Sequence, residues 1–140
     1  MKLTTKSEYA CLALIDLAEN YRKSSFVKIK DIAKRKAMPQ KYLEQILMIL
    51  NRAGYVRSER GLRGGYILAK PAKKISVAEI IRLMDGAIAP VESVSKYFYA
   101  HTPIEKSRGL MKLFREIRDY TANKLEKTNF ADLITKPKKK

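Results

Sequence analysis

The chain is poor in the residues from which most reactive centres are built. It has one cysteine, Cys11, and one histidine, His101. A single thiol forms no intramolecular disulfide, which fits a reducing, cytoplasmic setting. It also excludes a metal site made of several thiolates within one chain. With one imidazole there is no Ser-His-Asp grouping, no HExxH and no thiol–imidazole pair by spacing. The expectation is therefore a protein that is not an enzyme and carries no metal or cofactor. No apolar run approaches the roughly 18 residues that a spanning helix needs. The opening Met1-Lys2-Leu3-Thr4-Thr5-Lys6 leads into a pattern broken by Glu8 and Asp16, unlike a signal peptide. No internal repeat is present.

Acidic residues are also scarce. There are 14 Asp+Glu against 30 Lys+Arg, a formal net charge of +16 over 140 residues. With 46% hydrophobic residues the chain can bury a core, so this is not a disordered basic tail. A fold this positive calls for a polyanion, either nucleic acid or an anionic membrane surface.

Apolar spacing sets out the elements. Thr4 or Thr5 caps a helix running to about Tyr21, with Tyr9, Leu12, Ile15 and Ala18 on one stripe. Lys23-Ser24-Ser25 reads as a loop. The segment Phe26-Val27-Lys28-Ile29 leads into a two-turn helix over Lys30 to Lys36. Ala37-Met38-Pro39 breaks it, and Pro39 suits the start of the next helix. That helix spans Gln40 to Ala53, with Tyr42, Leu43, Ile46, Leu47 and Leu50 facing inward and Gly54 as its stop. A short helix, a tight break and a longer helix are the order of a helix-turn-helix.

Tyr55 to Ser58 and Tyr66 to Ala69 alternate like strands about a loop with three glycines. That hairpin has Arg60 and Arg63 at its tip, and the loop lacks the Gly-Lys-Ser/Thr ending of a phosphate-binding loop. A helix-turn-helix followed by a basic hairpin is a winged helix. Ser76 caps a helix of about ten residues, with Glu79 as its capping-box partner, and Asp85-Gly86 ends it. Residues 87 to 103 are irregular. A long helix is expected from about Glu105 to Lys127, with Leu110, Leu113, Phe114, Ile117, Thr121 and Leu125 on one face. That face is too long to bury on one small domain, so part of it is expected to pack on a second copy. The alternative is an arm folded back on its own domain. The tail ending Lys136-Pro137-Lys138-Lys139-Lys140 is expected to be disordered.

Four blocks in order carry a family resemblance: Met1 to Ala10, Tyr42-Leu43-Glu44-Gln45, Ala53 to Ser58, and Arg60 to Leu68. They resemble the bacterial winged helix-turn-helix transcription regulators that include IscR, NsrR and CymR. The match runs over about residues 1 to 86 and more loosely over the long helix. It implies a homodimer that binds double-stranded DNA, usually as a repressor at imperfect palindromes, and dimerises through the long helix. The fold class expected is mainly α with a small β-hairpin wing. The division expected is a DNA-binding domain over 1–86, a connecting loop over 87–104, a dimerisation helix and C-terminal segment over 105–134, and a basic tail over 135–140. Many relatives hold an iron–sulfur cluster on three cysteines before the long helix. Here that stretch has none, so the chain resembles the cluster-free branch, whose members answer to a protein partner or an unidentified signal.

Gln40, Lys41, Glu44 and Gln45 are the expected base contacts, since Gln pairs with adenine edges, Lys with guanine, and Glu accepts from cytosine. The resemblance places the matching Glu and Gln at base edges. It also makes Arg60 the candidate for the minor groove, with Arg57 and Arg63 as phosphate contacts. Leu62-Arg63 departs from the Pro-Gly frequent in relatives. Lys2, Thr4, Thr5 and Lys6 are expected to grip phosphate at the first helix N-terminus. The dimer interface is expected at Leu110, Leu113, Phe114, Ile117 and Leu125. Two alternatives stay open. One is gating by an effector or partner protein at the 92–104 loop, where Tyr97, Phe98, Tyr99 and His101 cluster. The other is a basic membrane-surface protein.

Overall fold

The computed structural model describes residues 1–22, 25–62 and 64–134. The loop at Lys23-Ser24, Arg63 and the tail from 135 lie outside the described residues. The elements are α1 (Thr5–Glu19), α2 (Ile29–Arg35), α3 (Gln40–Arg52), β1 (Val56–Glu59), β2 (Gly65–Leu68), α4 (Val77–Asp85) and α5 (Arg108–Lys127). Tight 3-10 turns cover Ala72–Lys74, Glu92–Val94 and Pro103–Lys106. This is the expected mainly helical fold with one antiparallel hairpin.

Local chemistry sets the boundaries. Thr4 caps α1 by accepting from the Ser7 amide. Ser76 and Glu79 form the full capping box of α4. Both helices of the helix-turn-helix end in Schellman motifs. In α2 the Met38 amide reaches the Ala33 carbonyl at 2.9 Å, and in α3 the Tyr55 amide reaches Leu50 at 2.9 Å. Gly54 supplies the left-handed residue after α3, whereas after α2 it is Ala37, at φ 52°.

One boundary departs from expectation. The long helix begins at Arg108, not near Glu105. Pro103 opens a separate 3-10 turn, and Ser107, in an extended conformation, restarts the ladder by capping the Leu110 amide.

The core joins all five helices. Leu14, Leu17, Ile32, Leu43, Ile46, Leu50, Ile75, Ile80 and Phe130 are fully buried together. Phe130 reaches it because the chain after α5 returns to the start of α4, where its amide bonds Ile75 and the Val77 amide bonds Thr128. An ion pair with one buried partner also pins α2 to α1. Asp16 is fully buried and receives both Nε and an Nη of Arg35, at 2.8 and 2.9 Å.

Candidate nucleic-acid interface

At 100° per residue the α3 sequence divides cleanly. Leu43, Ile46, Leu47 and Leu50 point into the core. Gln40, Lys41, Glu44 and Gln45 are exposed on the opposite side, continued by Met48, Asn51 and Arg52. The four expected base-reading side chains therefore share one surface. Glu44 makes no ion pair among the described residues, and Lys36, one partner it could have had, pairs with Glu19 at 3.2 Å.

Helix starts distinguish this surface from the rest of the molecule. α1, α4 and α5 carry side-chain caps from Thr4, Ser76 and Ser107. α2 and α3 follow Lys28 and Pro39, neither of which caps with its side chain. In α3 the first amides are thus left for an outside acceptor, as a phosphate-gripping helix start requires, whereas in α2 the Asp31 amide already donates to the Lys28 carbonyl at 3.0 Å.

The wing is built against this surface. β1 and β2 pair from Val56–Leu68 to Glu59–Gly65. Val27 adds a single third rung, exchanging both backbone bonds with Tyr66 at 2.7 and 2.8 Å. Two glycines make this approach possible. A Cβ on Gly65 would sit 2.2 Å from the Val27 carbonyl oxygen, and one on Gly64 would sit 2.2 Å from that of Glu59. The wing loop, Gln40, Lys28 and Lys30 line one groove of about 370 Å³. The α3 start, the α2 start and the wing therefore face a common space. Burial, and next the nearby Glu44 charge, raise the Tyr66 phenol above its ordinary pKa.

The expected wing residues fall into three situations. Arg60 is exposed at the tip beside Leu62, which is 92% exposed. Arg57 is exposed and its guanidinium lies 6.0 Å from the centre of the Phe26 ring. Arg63 lies outside the described residues.

The expected clamp at the N-terminus needs correction at Thr4. Its hydroxyl donates to one Asp85 carboxylate oxygen, and its amide donates to the other at 3.2 Å. Partial burial of Asp85 works against ionisation, but these hydrogen bonds outweigh it and hold its carboxyl below the ordinary range. Thr4 is a tie between α1 and α4, and the carboxylate beside it repels phosphate. Lys2 and Thr5 remain exposed and Lys6 half-buried.

On α5, Leu110, Leu113 and Ile117 are exposed and Phe114 is half-buried, a stripe without cover in the single chain. Leu125 differs, because it packs on this chain's own core beside Ala122.

The loop before α5 offers a poor donor set for iron. Among the described residues no three His, Cys, Asp or Glu side chains converge on a possible metal position. His101 Nδ1 and the Tyr99 hydroxyl both engage Glu105. Cys11 lies in α1, where burial raises its thiol to about 11, so it stays protonated at neutral pH. These residues do not fit a cluster.

Sequence reasoning missed the Val27 rung, the place of Lys28 and Lys30 in the groove, and the Asp16–Arg35 pin. The alternation in Phe26-Val27-Lys28-Ile29 was the available signal for the rung, but it is too short to identify a strand.

Comparison with known proteins agrees with this geometry. The family model described as Rrf2, iron-dependent transcriptional regulator, matches residues 3–136. The HTH-type transcriptional regulator CymR of Bacillus subtilis is 32% identical over 135 residues, covering 96% of this chain and 91% of that protein. A putative rrf2-like regulator of Rhodobacter capsulatus is 41% identical, over 69% of this chain and 66% of that protein. Protein rrf2 of Nitratidesulfovibrio vulgaris is 42% identical over 66% of this chain, and only 61% of its own length is spanned. The structure of CymR (YrzC), the global cysteine regulator of B. subtilis, superposes with a TM-score of 0.76 at 32% identity over 95% of each chain. That of T. potens IscR gives 0.72 at 30% identity, over 95% of this chain and 85% of that one. The relatives are transcription regulators and not enzymes. The winged helix-turn-helix and the family match over residues 3–136 together mean that the chain belongs to the Rrf2 family of transcriptional regulators.

Proposed function

We propose that this protein is a homodimeric, sequence-specific DNA-binding regulator that represses by occupying a palindromic operator, without an iron–sulfur cluster. The observation that carries the reading is the shared groove, where Gln40, the uncapped helix starts with Lys28 and Lys30, and the wing loop meet. In this reading α3 enters the major groove and presents Gln40, Lys41, Glu44 and Gln45 to base edges. Arg60 enters the adjacent minor groove, where narrow A·T-rich stretches concentrate negative potential. Arg57, Arg63, Lys2, Thr5 and Lys6 serve the phosphates. The uncovered stripe Leu110, Leu113, Phe114 and Ile117 supports pairing through α5, and a two-fold dimer reads a two-fold site. Acting on the chromosome sets its place in the cytoplasm.

The cluster-free part of the proposal rests on the donor set, because neither Cys11 nor the 92–104 loop supplies thiolates. Selection from a random duplex library tests the whole. The expected outcome is enrichment of inverted repeats with half-site centres about one helical turn apart or a multiple of it. No enrichment, or enrichment of unrepeated single sites, overturns it. An anaerobic preparation with a visible iron–sulfur band bound to this chain overturns the cluster-free part.

A further inference from the structure

We propose that the cleft between the start of α5 and the segment before it is a binding site for a small organic or inorganic dianion. The cleft measures about 670 Å³, and Arg108, Lys112 and Arg115 line it together with Ser93, Tyr99 and Met111. At 100° per residue the three cations share one flank of α5, about opposite Leu110, Leu113, Phe114 and Ile117. Pairing through the apolar stripe therefore leaves the cleft open.

The three cations that line this cleft have no ion pair among the described residues. Arg35, Lys36, Arg82 and Arg118 all have carboxylate partners. Arg108, Lys112 and Arg115 stand at spacings of four and three, where like charges oppose one another on a helix. One carboxylate, Glu105, also lines the cleft, and it is already engaged by Tyr99 and His101. Three positive charges against one leave two to be balanced, the charge of a dicarboxylate or a phosphate. Two guanidinium forks suit planar or tetrahedral oxyanions, and Met111 with the Tyr99 ring supplies an apolar wall for a short carbon chain.

The cleft has two walls that already touch. The Ser93 hydroxyl is bonded to Thr102 and lies 3.8 Å from the Met111 sulfur, and Arg118 donates to the Val94 carbonyl at 2.7 Å. A dianion seated there ties the 93–105 segment to the helix proposed for dimerisation. That consequence rests on the dimer reading, whereas the binding itself does not.

The test uses the full chain at constant ionic strength, with succinate, inorganic phosphate and the monoanion butyrate as probes in thermal melts and calorimetry. Succinate or phosphate is expected to bind saturably and raise Tm by about 9 °C at a hundredfold excess over Kd, and butyrate to do neither. The pair that binds tells a carboxylate ligand from a phosphate one. The double variant Arg108→Ala/Arg115→Ala, both surface positions, loses the effect, and Lys124→Ala/Lys127→Ala keeps it. Absence of saturable dianion binding, equal binding of butyrate, or undiminished binding in the double variant overturns the site. Loss of duplex-DNA affinity in the double variant with no small-anion binding makes the cleft a backbone contact and also overturns it. These readouts need no operator, so they fail or succeed apart from the DNA-reading proposal.

Discussion

Glu44 is a carboxylate on the exposed face of α3, with no cation paired to it among the described residues. Its negative charge opposes non-specific binding and is offset only where a base donor such as cytosine N4 meets it. Glu44→Ala is therefore expected to cost about 1–3 kcal/mol of discrimination at one base pair of each half-site, while random-duplex affinity holds or rises. Competition between the operator and single-base variants measures it, and equal losses on operator and random DNA count against the assignment. Ala37 poses a different question at the same scale. It holds φ 52° at the turn between α2 and α3, where a Cβ costs about 1 kcal/mol. Glycine removes that strain but adds freedom to the unfolded chain. The net expectation for Ala37→Gly is a gain of about 0.5 kcal/mol, and for Ala37→Val a loss of about 1 kcal/mol or more, since branching tightens the clash. Urea melts decide both signs.

Between elements, the wing depends on close backbone approach and the helix-turn-helix on a buried charge. Gly65→Ala drives a Cβ into the Val27 carbonyl and must displace the strand that leads into α2. It is expected to lower stability by about 2 kcal/mol and DNA affinity with it. Arg60→Ala is the contrasting change, because an exposed tip residue leaves the melt unmoved while weakening binding most on A·T-rich flanks. Parallel melts and anisotropy titrations separate the two. Arg35→Met strands the Asp16 carboxylate in the core. Because the Arg35 side chain is 42% exposed and water reaches that side, the expected loss is about 2 kcal/mol, below that of a wholly buried pair. Asp16→Leu combined with it restores most of the stability if desolvation is the cause, and a double-mutant cycle reads this directly. These elements also mark what was legible in the residues. The Ser76–Glu79 box, the stop at Gly54 and the α3 stripe are written in local spacing, so their positions could be read. The Val27 rung, the tie between Thr4 and Asp85 and the Asp16–Arg35 pin join residues far apart in sequence or depend on which face meets which. No local pattern encodes such pairings. The α5 start was misplaced for a related reason: Glu105 suits a helix, but Pro103 and Ser107 together divide the segment into two turns.

For the whole molecule, the charge of +16 matters through how many phosphates are met at once. In the proposed dimer each half would set two uncapped helix starts and a wing on the duplex, and about four phosphates per half would give about eight in all. The logarithm of affinity should then fall by about seven per decade of salt. That count depends on the α5 stripe, because only a dimer presents both halves with fixed spacing. Leu113 is 48% exposed in the single chain and lies amid Leu110, Phe114 and Ile117. Leu113→Asp puts a charge at the centre of that stripe without touching the core of the monomer, so each chain should stay folded, with Tm lowered only by the lost contribution of dimerisation. Sedimentation should shift from dimer to monomer. Operator affinity should fall about a hundredfold or more, as the second half-site loses its tethered partner. The salt slope should fall to about half, because one chain releases half the counterions. A variant that stays dimeric, or turns monomeric with the slope unchanged, would remove α5 from the interface or the two-fold arrangement from the DNA complex.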